Sequence, residues 1–364
     1  MGLESLRALA TLFDQAWLSA INFGVGLLLI RLADKTDYAI YVQLFSALLL
    51  TVSIRHSIVD SPLLTLGPRE QAESRQSFVR GILALQNRLL GVVLLIGALL
   101  MCLLPLFAPG VVLAPSLIVA VLAWTTGHWM REFVRIHGFL SLQPEQALYV
   151  DVAFGLLAGA GALLVVSGGI TIVEAVGTLA VANVLAAGVM LWRLGIYRSP
   201  PRPWQQAWAS VWPLARYALP GTVITWIFTY TFPYIASTAV STAAAANLAA
   251  TKLLVMPIGI LSIAMTNLLQ PKMAGWIAAG RLSDVTRTAV LVALGATGLA
   301  LLYLLLLFLS YGLIEQWVLG EDYSGLGAIT LIWGLYAWLG LVRAVGLAVV
   351  LAGKQYQRML RYNV

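Results

Sequence analysis

Four basic side chains stand inside otherwise apolar runs of this sequence: Arg31, Arg55, Lys252 and Arg343. An ionised side chain at bilayer depth costs about 2.5–3.5 kcal/mol on insertion scales, so keeping one requires a task or a partner. Guanidinium and ammonium groups from four separate segments, facing one cavity, would line it with positive charge. That chemistry suits an anionic head group such as a lipid phosphate or pyrophosphate. The ordinary uses are also open: Arg31 and Lys252 can snorkel to the interface, and Arg55 can pair with Asp60. Arg343, near the middle of its run, is hardest to bring to water.

Two acids sit at similar depth. Asp14, with Gln15 beside it, and Asp151 could each bind a coupling proton or cation, because burial favours the protonated carboxyl. Pairing with an arginine of a neighbouring helix is the more ordinary fate of Asp151. Pro220 and Pro233 remove backbone donors from one apolar segment and are candidate hinges or static kinks. No enzyme signature is present. His56, His128 and His137 lack metal-ligand spacing and cysteine partners, and Gly155, Gly159 and Gly161 follow an apolar helix, which makes them a small-residue packing face and not a dinucleotide loop. There is no Ser-centred elbow and no phosphate loop, so neither cofactor nor metal is expected.

These residues need elements to hold them, and composition limits the choice. Of 364 residues, 60% are hydrophobic and 10% charged, with a mean hydropathy of +0.90, whereas soluble domains carry about 25% charged residues. In lipid the backbone must satisfy itself, which leaves helices or a closed barrel. The long continuous Leu, Ala, Gly and Val runs are helical in length, so the expected class is an all-α polytopic integral membrane protein. Runs near 9–32, 38–60, 83–107, 112–136, 146–167, 171–194, 217–239, 246–270, 287–311 and 326–352 give about ten spans. The first is expected as a retained helix, since Asp14, Gln15 and Asn22 interrupt any signal-peptide core.

The net charge of +7 is dispersed between the apolar runs, so it reports topology and excludes a nucleic-acid surface. Basic residues fall on one side: Arg7 first, then Arg69, Arg75, Arg80 and Arg88, then Arg131 and Arg135, then Arg193, Arg198, Arg202 and Arg216, then Lys272, Arg281 and Arg287, then Lys354, Arg358 and Arg361. The opposite loops are short and nearly free of base, the exception being Arg31 and Lys35, which Asp34 and Asp37 accompany. Both termini are therefore expected in the cytoplasm. The longest polar connection divides the chain into a six-helix bundle (1–197), an interfacial amphipathic linker (198–216) and a C-terminal bundle of about four helices (217–364). Trp204, Trp208 and Trp212 recur every fourth residue in the linker, as on a helix lying in the interface. Cys102 is alone and forms no internal disulfide.

The stretch from Phe13 through Arg31 to Asp34, followed by Tyr38-Ala-Ile-Tyr, and the second-half stretches Tyr217-Ala-Leu-Pro-Gly, Ala246-Asn-Leu-Ala-Ala-Thr-Lys-Leu, Gln270-Pro-Lys-Met and Gly280-Arg-Leu-Ser resemble the polysaccharide-unit flippases of the multidrug/oligosaccharidyl-lipid/polysaccharide exporter superfamily. That resemblance implies two six-helix bundles facing each other across a cationic cavity and alternating access by rocking. It implies as cargo a lipid-linked oligosaccharide on a polyprenyl pyrophosphate, moved across the cytoplasmic (inner) membrane, with membrane lipids and glycan-assembly proteins as partners. The family has about twelve helices or more, so the second bundle is short by comparison. Three other functions stay open: a cation-coupled multidrug exporter, a transport-inactive scaffold, and a membrane glycan polymerase, which the short outward loops disfavour.

Overall fold

The computed structural model describes residues 3–107, 113–165, 169–194 and 202–352. They form a polytopic all-helical membrane protein of α1 (Leu3–Leu32), α2 (Lys35–Arg55) running through a π turn (His56–Asp60) into α3 (Ser61–Leu66), α4 (Ala72–Phe107), α5 (Pro115–Leu140), α6 (Pro144–Val165), α7 (Ile172–Leu194), α8 (Trp204–Tyr230), α9 (Phe232–Ala239), α10 (Thr242–Leu254), α11 (Met256–Ala278), α12 (Leu282–Leu309), α13 (Tyr311–Ile314) and α14 (Gly327–Ala352). Arg198, Lys354, Arg358 and Arg361 lie outside the described residues.

Among the described residues each expected span is mostly helical, but by length and composition seven of the described helices can cross a membrane, or eight if α10 and α11, bent by 53°, count as one span. The difference from ten falls on α5, where Arg131, Glu132 and Arg135 stand close together, and on α8, which Trp, Tyr, Pro and Arg216 dilute. Neighbouring helices can supply what such a segment lacks alone.

The chain forms two compact units, Met1–Ala246 and Asn247–Val364. In the first, α5 is central, packed on α7, α6 and α4, with α1 against α6 and α8 against α4 and α2. Close approach needs small residues: a Cβ on Gly127 of α5 would stand 2.8 Å from Val184 N of α7, and one on Gly155 of α6 would meet Trp17 Nε1 of α1 at 2.7 Å. Trp17 Nε1 donates instead to Asp151 O at 2.9 Å, which fixes α1 to α6. Trp129 and Phe133 of α5 are fully buried, and Trp124 stacks on Tyr41 and Phe45 of α2 at 6.0 Å.

The polar connection becomes the opening turns of α8. Ala207, Val211 and Ala215 form its buried stripe, Trp208 and Trp212 stack at 4.9 Å, and Trp204 lies under the Arg88 guanidinium at 5.3 Å. Arg202 ties this end down, with two 2.9 Å hydrogen bonds to Glu70 and its own amide donating to Ser77 O at 3.2 Å. The α-helix runs through Pro213 and Pro220 and ends at Tyr230, and Pro233 sits in the first turn of α9, where its missing N–H does no harm.

In the second unit α11, α12 and α14 pack together around Leu269, Met273, Val285 and Val345. Tyr303 Oη of α12 donates to Leu254 O at the α10–α11 bend, at 2.6 Å.

Candidate functional site

Arg135 lies four residues after Arg131 and three after Glu132 on α5, spacings that bring it beside each of them. Arg135 engages three carboxylates. Its Nη1 is 2.9 Å from Glu132 Oε2, its Nη2 3.0 Å from Asp14 Oδ2 of α1, and its Nε 2.6 Å from Asp151 Oδ2 of α6. Arg131 adds contacts of 3.5 Å to Asp151 and 3.6 Å to Glu132 and lies 3.9 Å over the Phe154 ring. The sequence places Arg131 and Arg135 as markers of a cytoplasmic loop, but both are helical and largely enclosed. Asp14 and Asp151 find their partners here. With three carboxylates against two guanidiniums the cluster is short of one positive charge, and Asp14 Oδ1 is buried without a hydrogen-bond donor.

Arg55 is 0% exposed. Its guanidinium meets Asp60 at 2.7 and 3.0 Å and donates through Nε to Gln86 of α4 at 2.9 Å, so its charge is matched inside the bundle and does not reach a cavity. Gln86 reaches on to Trp129 O of α5 at 3.5 Å, and Trp129 Nε1 donates to Thr51 of α2 at 3.1 Å. The π turn itself rests on α8, where Ser57 Oγ is 2.7 Å from Thr222 Oγ1.

The exposed faces of the first unit differ in kind. α4 shows Leu95, Ile96, Leu99, Leu100 and Leu106, a face made for acyl chains. α1 exposes Gln15 and Asn22, and the α2–α3 segment exposes Ala47, His56, Ser61 and Thr65 besides Leu64. Amides, hydroxyls and an imidazole at this depth belong against water or a polar ligand. Among the basic candidates, Arg31 ends α1 and is exposed, as is Arg343 on α14. Lys252 of α10 is half-buried, with its ammonium 5.1 Å from the Trp333 ring of α14, a cation–π contact that holds the charge at depth. His128 and His137 join no metal-ligating group among the described residues.

The comparisons bear on this arrangement. No family model matches the sequence, and no curated protein matches it. Among solved structures, "Lipid II flippase MurJ, inward closed conformation" is similar with a TM-score of 0.71 at 11% identity, covering 94% of this chain and 76% of that one. The chain has a MurJ-like fold. The expected polytopic all-α membrane fold stands, and the likeness extends over nearly the whole chain.

Proposed function

We propose that this protein moves a lipid-linked oligosaccharide, carried on a polyprenyl pyrophosphate, across the cytoplasmic membrane by alternating access. The observation that carries this reading is the MurJ-like fold over 94% of the chain, and the polar exposed face of α1 and α2 supports it, because amides and hydroxyls match glycan hydroxyls. Arg31, Lys252 and Arg343 are the proposed contacts for the anionic head. Arg55 serves them indirectly by holding Asp60 and the π turn. Both termini are placed in the cytoplasm, with membrane lipids and glycan-assembly proteins as partners.

The cluster of Asp14, Arg131, Glu132, Arg135 and Asp151 is the proposed coupling site. Its missing positive charge would be supplied by one proton or cation, held near Asp14 Oδ1. Pro220 in α8 is the proposed hinge, with Pro233 marking the start of the next rigid piece.

The test is the Arg343→Ala variant expressed in place of the native protein. Lost surface glycan with unchanged drug resistance supports a glycan-lipid flippase. Unchanged surface glycan with lost drug resistance overturns it in favour of a drug exporter.

A further inference from the structure

The π turn is the least ordinary backbone in the first unit. Across it the Ser61 N–H bonds to the His56 carbonyl, five residues back and not four. That extra residue redirects side chains. Asp60, which an unbroken α-helix would set over His56, turns inward onto Arg55 and is 3% exposed. His56 and Ser61 instead share the exposed face, and Thr65 follows one turn later.

His56 is left with its side chain 62% exposed and its Nδ1 3.5 Å from Asp60 Oδ2. That contact orients the ring and leaves Nε2 for a ligand. Such a ring would be out of place against hydrocarbon, and the surrounding residues indicate that it is not there. The same face carries Ser61 and Thr65, and the adjoining α1 carries Gln15 and Asn22, whereas α4 presents leucines. α8 and α9 bind the other end of this helix through Trp226 Nε1 to Ser46 O at 2.8 Å and Tyr234 Oη to Gln43 O at 2.6 Å, so the exposed strip is held in place on both sides.

We propose that His56, presented by the π turn and steadied by Asp60, is the residue through which α2 contacts a phosphate oxygen of the cargo head group, with the Ser61 and Thr65 hydroxyls beside it. With Nδ1 toward the Asp60 carboxylate, the charged ring donates through Nε2–H to such an oxygen. Arg55, the obvious cation of this helix, is sealed away from that task. The proposal rests on the reading of the cargo as an anionic lipid-linked unit, and the experiment separates the two.

Wild-type protein and the His56→Ala and His56→Lys variants are titrated in detergent with polyprenyl pyrophosphate and with the uncharged polyprenol. We expect the wild type to prefer the pyrophosphate, His56→Ala to weaken its binding about tenfold, and His56→Lys to stay within about threefold, as for one charge-assisted hydrogen bond. Polyprenol binding should be the same in all three, which also shows that the variants are folded. A His56→Ala variant that keeps the full preference overturns the role of His56 and leaves the cargo reading standing. A wild type with no preference overturns both. Variants that lose polyprenol binding as well also count against the proposal, because His56 would then support the fold and not the phosphate.

Discussion

Arg135 of α5 and Asp14 of α1 meet at 3.0 Å although 121 positions separate them in the chain, and the same guanidinium holds Asp151 of α6 at 2.6 Å. One side chain thus ties three helices. Removing one partner of a buried ion pair is far more damaging than the pair is stabilising, because the other partner stays buried and uncompensated. Arg135→Gln should therefore destabilise the protein by about 3–5 kcal/mol, read as a lowered thermal midpoint in detergent. An unchanged midpoint would show that water reaches the three carboxylates.

Asp14 and Asp151 divide the same cluster differently. Asp14→Asn or Asp151→Asn removes the excess negative charge and leaves two guanidiniums facing two carboxylates, so either should destabilise the protein less than Arg135→Gln. Transport, measured with and without an imposed pH or sodium gradient, should lose its response to the gradient in at least one variant. Full retention in both would remove the cluster from coupling.

Arg55 and Asp60 offer a separation of stability from function. Arg55→Met alone strands a buried carboxylate and should cost about 3–5 kcal/mol, whereas Arg55→Met with Asp60→Leu should recover most of that. The double variant also frees His56 from Asp60, so cargo binding should remain weak after stability returns. Recovery of both together would assign Asp60 a purely structural role.

Much of the fold was legible in the sequence because hydrophobic length is a strong signal, and among the described residues each of the ten expected spans is mostly helical. Arg131 and Arg135 were harder. Counting positive charges by loop takes every arginine as solvent-facing, and only the Arg-Glu-Arg spacing on α5, set against two acids in need of partners, hints at a buried network. Arg55 shows a second limit. Residues five apart stand about 140° round an α-helix, so the Arg55–Asp60 contact depends on a π turn that no residue pattern announces. His56 reads in the sequence only as a histidine without metal-ligand spacing, since its exposure is created by that turn.

Glu70 and Arg202 give a pH-dependent prediction outside the spans. The hydrogen bonds from Arg202, with a further one from Ser74, hold the Glu70 carboxyl below its ordinary range. Because the folded value is depressed, the stabilisation is complete above the unfolded carboxylate value of about 4.3 and fades as pH falls through the folded value. Protection of the Arg202 amide, which donates to Ser77 O, should fall on acidification once the exchange rate is divided by that of the unstructured amide at the same pH. Glu70→Gln should raise that exchange up to about fivefold already at pH 7, the size of a partly exposed pair. Equal exchange in wild type and variant would mean that the pair does not anchor α8.

The central claim is that the protein carries an anionic lipid-linked unit through the bilayer, and its most direct measurement is flipping in proteoliposomes. A fluorescent oligosaccharide on polyprenyl pyrophosphate is loaded in one leaflet and its arrival in the other is followed by a membrane-impermeant quencher. We expect wild-type protein to speed transfer well above that of empty vesicles, and the combined Arg31→Gln, Lys252→Gln and Arg343→Gln variant to lose at least about nine-tenths of that rate, as three charge-assisted contacts require. Transfer equal to that of empty vesicles, or a variant as fast as wild type, would contradict the claim.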